Sequence, residues 1–260
     1  MDREAADRLL DALAARRGLI CAVGAGGKKS TLARLAEALR LVGVAPVGAT
    51  ATVLVAPFAA DPDRPVLVEP PERLEQRLRD LLADHPSLAY AAPSSNPQRL
   101  GGVAPGEVAR LHRALGFAVT LVKADGARMR LIKAPAEAEP VLPPGADLVL
   151  PVVSVQAIGR PLDERVGHRV DRLSRVIGLA PGGTIGPEHL ARLLASATGA
   201  LQNVGDARVV PVINAVDDPV WLIRARQAAE AALAVTRRFD RVLLSRMHRP
   251  DPVVEVIVRG

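Results

Sequence analysis

The chain has 260 residues, 49% of them hydrophobic and 24% charged, with a formal net charge of +6. That length suits one large α/β domain; no apolar run reaches the ~18–20 residues of a membrane-spanning helix, and a single cysteine, Cys21, excludes an internal disulfide and a cysteine-based zinc site. The basic surplus does not point to nucleic acid: the arginines alternate with acids, as in Arg73-Leu74-Glu75-Gln76-Arg77, no run of five basic residues occurs, and there are only five aromatic residues to stack on bases.

In chain order, Met1–Arg17 carries Asp2, Glu4, Asp7 and Asp11 among apolar positions, which argues against a secretory signal. Leu9, Leu10 and Leu13 predict one face of an N-terminal amphipathic helix instead. Gly18–Val23 is a continuous apolar run and predicts a buried parallel strand. After a glycine-rich turn, Leu32, Leu35, Ala36 and Leu39 predict a helix over Ser30–Leu41. Strands are expected over Val44–Thr52, Pro65–Glu69, Leu88–Ala92 and Phe117–Lys123, with helices over Glu72–Ala83 and Glu107–Leu115. A Pro-rich loop, 134–144, interrupts the pattern. Asp147–Val153 and Arg208–Ile213 predict further strands, and Arg169–Ile177, Pro187–Ala197 and Pro219–Val235 helices, the second with Pro187 in its first turn. Arg241–Ser245 and Val253–Val258 predict the last strands. Such alternation predicts a doubly wound, mostly parallel sheet of the P-loop NTPase-like α/β class, as a single domain over 1–260.

The segment Gly24-Ala25-Gly26-Gly27-Lys28-Lys29-Ser30-Thr31 lies between that first strand and its helix. Glycines let several backbone N–H groups converge, and the helix adds its positive end. A lysine then reaches the phosphates and a hydroxyl, Ser30 or Thr31, holds Mg²⁺. The loop is a short variant, because the first glycine of the longer pattern would fall at Ala22; the shorter spacing is similar to the loops of Mur-type ligases. Asp125, at the carboxyl end of the Phe117–Lys123 strand, is the expected metal partner, with Arg128 and Lys133 facing an anion; an ordinary Asp-Gly turn is the other reading. Glu137 and Glu139 form either a substrate-facing loop or a rigid surface loop. Asn214 and Asp217 stand where some nucleotide-binding proteins read guanine, although a helix cap explains them equally. No histidine has zinc-ligand spacing; His168, beside Arg169, is the one of interest. Of 34 basic residues only four are lysines, Lys28, Lys29, Lys123 and Lys133, which suggests positions where a compact cation is needed rather than a planar one.

The glycine loop, the Ala124-Asp125-Gly126-Ala127 segment continuing through Lys133-Ala134-Pro135 and Glu139-Pro140, and the strand end at Asn214 resemble the YqeC family over roughly residues 18–258. That resemblance implies an accessory protein of selenium-dependent molybdenum hydroxylases. It implies a molybdenum hydroxylase or molybdenum-cofactor protein as partner; the glycine loop predicts ATP or GTP as ligand, and composition predicts a cytoplasmic protein with no nucleic acid or membrane partner. Family members commonly carry Thr after the loop lysine and Glu before the Ala-Asp-Gly. Here those places hold Lys29 and Lys123, which weakens the expectation of Mg²⁺. The leading expectation is a P-loop NTPase with Asp125, Lys133, Arg128 and Glu139 as catalytic residues. The alternatives are a non-hydrolysing, nucleotide-gated adaptor that delivers cofactor or selenium, and a kinase or ligase acting on a small acid.

Overall fold

The computed structural model describes residues 1–58, 61 and 63–260. The strands are β1 (Gly18–Gly24), β2 (Val47–Ala51), β3 (Val66–Val68), β4 (Ser87–Ala91), β5 (Val119–Lys123), β6 (Ile132–Lys133), β7 (Leu148–Ser154), β8 (Gly167–His168), β9 (Arg208–Val209), β10 (Val212–Asn214), β11 (Arg241–Ser245) and β12 (Val253–Val258). The helices are α1 (Arg3–Leu13), α2 (Lys28–Val42), α3 (Pro71–Leu82), α4 (Pro105–Ala114), α5 (Val170–Ile177), α6 (Pro187–Ala195) and α7 (Pro219–Val235).

Among the described residues, ten strands form one sheet in the order β12-β11-β10-β7-β1-β5-β2-β4-β3, with β9 also paired to β7. Every pairing is parallel except β11 with β12. The expected doubly wound, mostly parallel α/β sheet is therefore present.

Strand alternation divides the core. Val119 and Leu121 of β5 face α1 and α2, in a cluster with Leu9, Leu13, Leu35 and Leu39. Val122 and Ala124 face the other way, in a cluster with residues of α3 to α7.

Several boundaries differ from the expectation, each for a local reason. Helix α2 starts at Lys28 rather than Ser30, with Gly27 as its cap at φ +140°. The strand expected over Arg208–Ile213 is two pieces: Pro211 has no N–H to donate, so the ladder with β7 lapses between Val209 and Val212. Helix α6 ends at Ala195, two residues early. The short β6–β8 pair was not foreseen, because two residues have no readable period.

Candidate phosphate-binding site

Strand β1 lies between β5 and β7: the chain passes from it toward β2 on one side, and later crosses from β5 to β7 and on to β10 on the other. In an open parallel sheet, ligands bind beyond the carboxyl ends at such a reversal. The loop from Gly24 to Gly27 occupies that point.

Gly24 and Gly26 have φ of +88° and +82°. A Cβ on Gly26 would lie 2.4 Å from the Ser154 nitrogen, and one on Gly24 2.5 Å from the Val152 carbonyl oxygen. The loop is thus seated tightly on the end of β7, and only glycine fits there. Its first amides are already committed. Gly24 N–H donates to Asp125 Oδ2 (2.9 Å), Ala25 N–H to the Val152 carbonyl (2.9 Å) and Gly26 N–H to the Arg130 carbonyl (3.0 Å). The amides left for an anion belong to Gly27, Lys28, Lys29 and Ser30, where a helix start leaves N–H groups without helical acceptors. Ala25 therefore contributes to the loop's seating.

Three of the four lysines converge on Asp125, which is buried. Lys28 turns back into the loop: its Nζ donates to the Gly24 carbonyl and lies 2.8 Å from Asp125 Oδ1. It points at the carbonyl rather than along a hydrogen-bonding direction of that carboxylate oxygen, which has no hydrogen-bond donor of its own. Burial lowers the Lys28 pKa, and the attraction of Asp125 opposes this. Lys133, fully buried, holds Asp125 Oδ2 at 2.9 Å, the Gly126 carbonyl at 2.6 Å and Glu139 Oε2 at 2.6 Å. Lys123 donates to the Asp125 carbonyl at 2.7 Å. Burial, followed by repulsion from Lys28, pushes its pKa down to about 8.

Glu139 extends this chain of charges. Arg169 grips it with both guanidinium nitrogens, at 2.8 and 3.1 Å, and the Ala136 amide donates to it. Burial alone would raise its pKa, yet the hydrogen bonds from Arg169 and Lys133 outweigh that and hold it at about 2. Lys28, Asp125, Lys133, Glu139 and Arg169 thus form one alternating line from the phosphate loop to the start of α5. The β6–β8 pairing of Lys133 with His168 positions its far end.

Other expected residues are placed differently. Thr31 is buried, and its hydroxyl donates to the Gly27 carbonyl at 3.1 Å, inside the helix. Ser30 and Lys29 are exposed at the helix start. Both oxygens of Asp125 already face cations. The Thr31 hydroxyl is thus engaged inside its helix and Asp125 faces lysines, while the Ser30 hydroxyl stands exposed at the helix start. Arg128 is exposed on a loop tip with φ +45°, away from Asp125's carboxylate contacts. Glu137 is 95% exposed. His168 is half-buried; burial and then the nearby Arg169 lower its pKa.

Asn214 is a brace. Its Nδ2 donates to the Gly26 carbonyl (2.9 Å), while its Oδ1 accepts from the Ser245 hydroxyl (3.2 Å) and the Met247 amide (3.1 Å). One of its two amide N–H groups and its Oδ1 are thus engaged with the loop and the end of β11. Asp217, 3.2 Å from His248 Nε2, lies on the same side. Sequence reasoning missed Arg169 as part of the site; no local motif marks a residue that meets Glu139 across 30 positions.

A family model described as YqeC protein matches residues 20–171, a span that holds the glycine loop, Asp125, Lys133, Glu139 and Arg169. This chain belongs to the YqeC family. The protein YqeC of Escherichia coli (strain K12) is 30% identical over 189 residues, 73% of this chain and 72% of that one. Among solved structures, the hydrogenase maturation factor HypB from Archaeoglobus fulgidus aligns with a TM-score of 0.41 at 14% identity, covering 94% of this chain and 89% of that one. HypB from Helicobacter pylori in complex with nickel aligns at 0.39 and 12%, covering 95% and 86%. Likeness this loose carries no argument. Among the described residues, no helix is long and apolar enough to cross a membrane.

Proposed function

We propose that this chain is a nucleotide-binding factor, with ATP or GTP at Gly24–Thr31, and that it serves the maturation of a molybdenum-cofactor hydroxylase. One observation carries the nucleotide reading. A loop that only glycines can form sits at the sheet's reversal point and presents the free amides of α2, with a lysine folded back beneath it. The molybdenum partner rests on what membership of the YqeC family implies.

Lys28 acts first. Its stem is flexible, and an arriving triphosphate offers it more negative charge than Asp125 does. The Nζ swings from Gly24 and Asp125 to the phosphates while the amides of Gly27–Ser30 bind them from below. Asp125 then keeps only Lys133 and the Gly24 amide. That change in charge is felt through Lys133 by Glu139 and Arg169, at the start of α5. Such coupling supports the reading as a nucleotide-gated adaptor; Asp125 Oδ1, freed when Lys28 leaves, is the group that a hydrolase would use.

Calorimetry with ATP and GTP on the full chain tests the binding. Wild type binds at least one of them, and Lys28→Ala weakens it about 10- to 150-fold, the worth of one charged hydrogen bond. No heat at millimolar nucleotide would sink the proposal. Robust phosphate release that is lost in Lys28→Ala would favour the NTPase reading over the adaptor.

A further inference from the structure

A second cavity, of about 340 Å³, opens beside the phosphate loop, between the first turns of α2, the ends of β2 and β5, and the segment that follows β2. Its size falls within the range of small-molecule sites. Its walls are mostly apolar, with Leu32, Val55 and Phe58 among them. Against those walls stand three cations, Lys29, Lys123 and Arg64, and no described lining residue is acidic.

Each cation has a reason to want an anion. Lys29 is exposed on the first turn of α2 and has no ion pair among the described residues. Lys123 reaches this side because β5 alternates: Val119, Leu121 and Lys123 share the face toward α2. Its one hydrogen bond goes to a carbonyl, and Lys28 repels it. Arg64 is 13% exposed, its nearest carboxylate, on Asp61, is 3.8 Å away, and its buried Nε has no hydrogen-bond partner among the described residues. A buried donor left unpaired costs stability unless something meets it.

The cavity lies to one side of the phosphate loop. Asn214 and Asp217 follow β10, whereas the cavity lies over β2 and β5. Four strand spacings, about 19 Å, separate β2 from β10, with the phosphate loop between them.

We propose that this cavity binds a small organic anion: an apolar or aromatic body carrying a phosphate or carboxylate group. The body lies against Leu32, Val55 and Phe58, and the anionic group meets Lys123 and Lys29 beside the phosphate loop. Its standing as a second ligand rests on the nucleotide reading above; binding of the anion itself does not.

The test is calorimetry on the full chain with 1-naphthyl phosphate and 1-naphthoate, against inorganic phosphate and the neutral 1-naphthol. The expected result is that the better naphthyl anion binds at least tenfold more tightly than either control. Lys123→Met and Phe58→Ser each weaken it tenfold or more, and each weakens it more than Lys28→Ala does. Should Lys123→Met fail to fold by circular dichroism, the exposed Lys29→Met gives the same readout. Preference for one naphthyl anion over the other identifies the group recognised. Affinities no better than the controls overturn the proposal, as does a larger loss in Lys28→Ala than in Lys123→Met, which would put the anion in the phosphate loop. Titrating ATP and GTP on the same preparation separates the two readings. A chain that binds a naphthyl anion but no nucleotide keeps the cavity and loses the loop; the opposite result does the reverse.

Discussion

Asp125→Asn sets stability against ligand affinity. The side chain keeps its shape, and an amide oxygen can still accept from the Gly24 N–H, which now lies 2.9 Å from Oδ2. The charge is lost. Removing one partner of a buried ion pair costs about 3–5 kcal/mol because it strands the other. Lys133 is not stranded, since Glu139 stays 2.6 Å away. Lys28 is stranded, so the lower end, about 3 kcal/mol, is expected in urea unfolding. Nucleotide binding should move the other way. In wild type, Lys28 must leave the Asp125 carboxylate, 2.8 Å away, before it meets phosphate, and an attraction of that kind is worth on the order of a few kcal/mol at an effective dielectric constant of ~20. With that contact already gone, triphosphate binding should tighten by about tenfold or more. Calorimetry and urea unfolding on the same protein read both effects. Unchanged stability, or a fall in nucleotide affinity, would refute the picture of Lys28 held back by Asp125.

Gly26→Ala should lower stability by more than the ~1–2 kcal/mol of a left-handed alanine, because its Cβ also meets the Ser154 nitrogen; a thermal melt within a degree of wild type would contradict the seating of the loop on β7. Glu139 has its folded pKa depressed from 4.5 to about 2, so its contribution to stability is complete above pH 4.5 and is lost as the pH falls toward 2. Glu139→Gln should flatten the stability profile across that window, and an unchanged slope would show that Arg169 and Lys133 do not hold it. Lys123 has its pKa depressed from 10.5 to about 8, so the unfolded chain binds more protons between those values and stability should rise with pH across them. Lys123→Met should remove that rise; a rise that persists must come from another group.

Much of the site's frame is legible in the sequence. The apolar run at Gly18–Val23, the glycines after it and the helical spacing of Leu32, Leu35 and Leu39 each report a different physical demand, and together they place a turn between a buried strand and a helix. The scarcity of lysine carried further: three of the four lysines meet Asp125. What stayed hidden is whatever depends on contacts distant in sequence. Lys133 reaches Asp125 because a two-residue strand pairs with Gly167–His168, too short to leave a period. Arg169 meets Glu139 across 30 residues. Asn214 reads as a base contact from its place after a strand, and its bonds to Gly26 and Met247, which brace the loop on β11, leave no trace in the sequence. The amides of Gly24, Ala25 and Gly26 turn inward because β7, Asp125 and Arg130 supply acceptors there.

The distribution of charge leads to a last expectation. A divalent cation in a phosphate site neutralises the ligand and a carboxylate together. Here Asp125 is already neutralised by Lys28 and Lys133, and Lys29 and Lys123 stand beside the loop as further positive charges. Thr31, whose hydroxyl could bind a metal, is turned into its helix. On the proposed nucleotide reading, these lysine ammonium groups would supply the compact positive charge that Mg²⁺ supplies elsewhere. Nucleotide affinity should then differ by less than about threefold between EDTA and millimolar Mg²⁺, within the ~0.7 kcal/mol that such a ratio represents. Lys29→Thr with Lys123→Glu, which places a hydroxyl and a carboxylate beside the loop, should make binding depend on the metal. If wild type already needs Mg²⁺, Lys28 must leave Asp125 for a metal ion as well as for phosphate, and the two lysines do not take the ion's place.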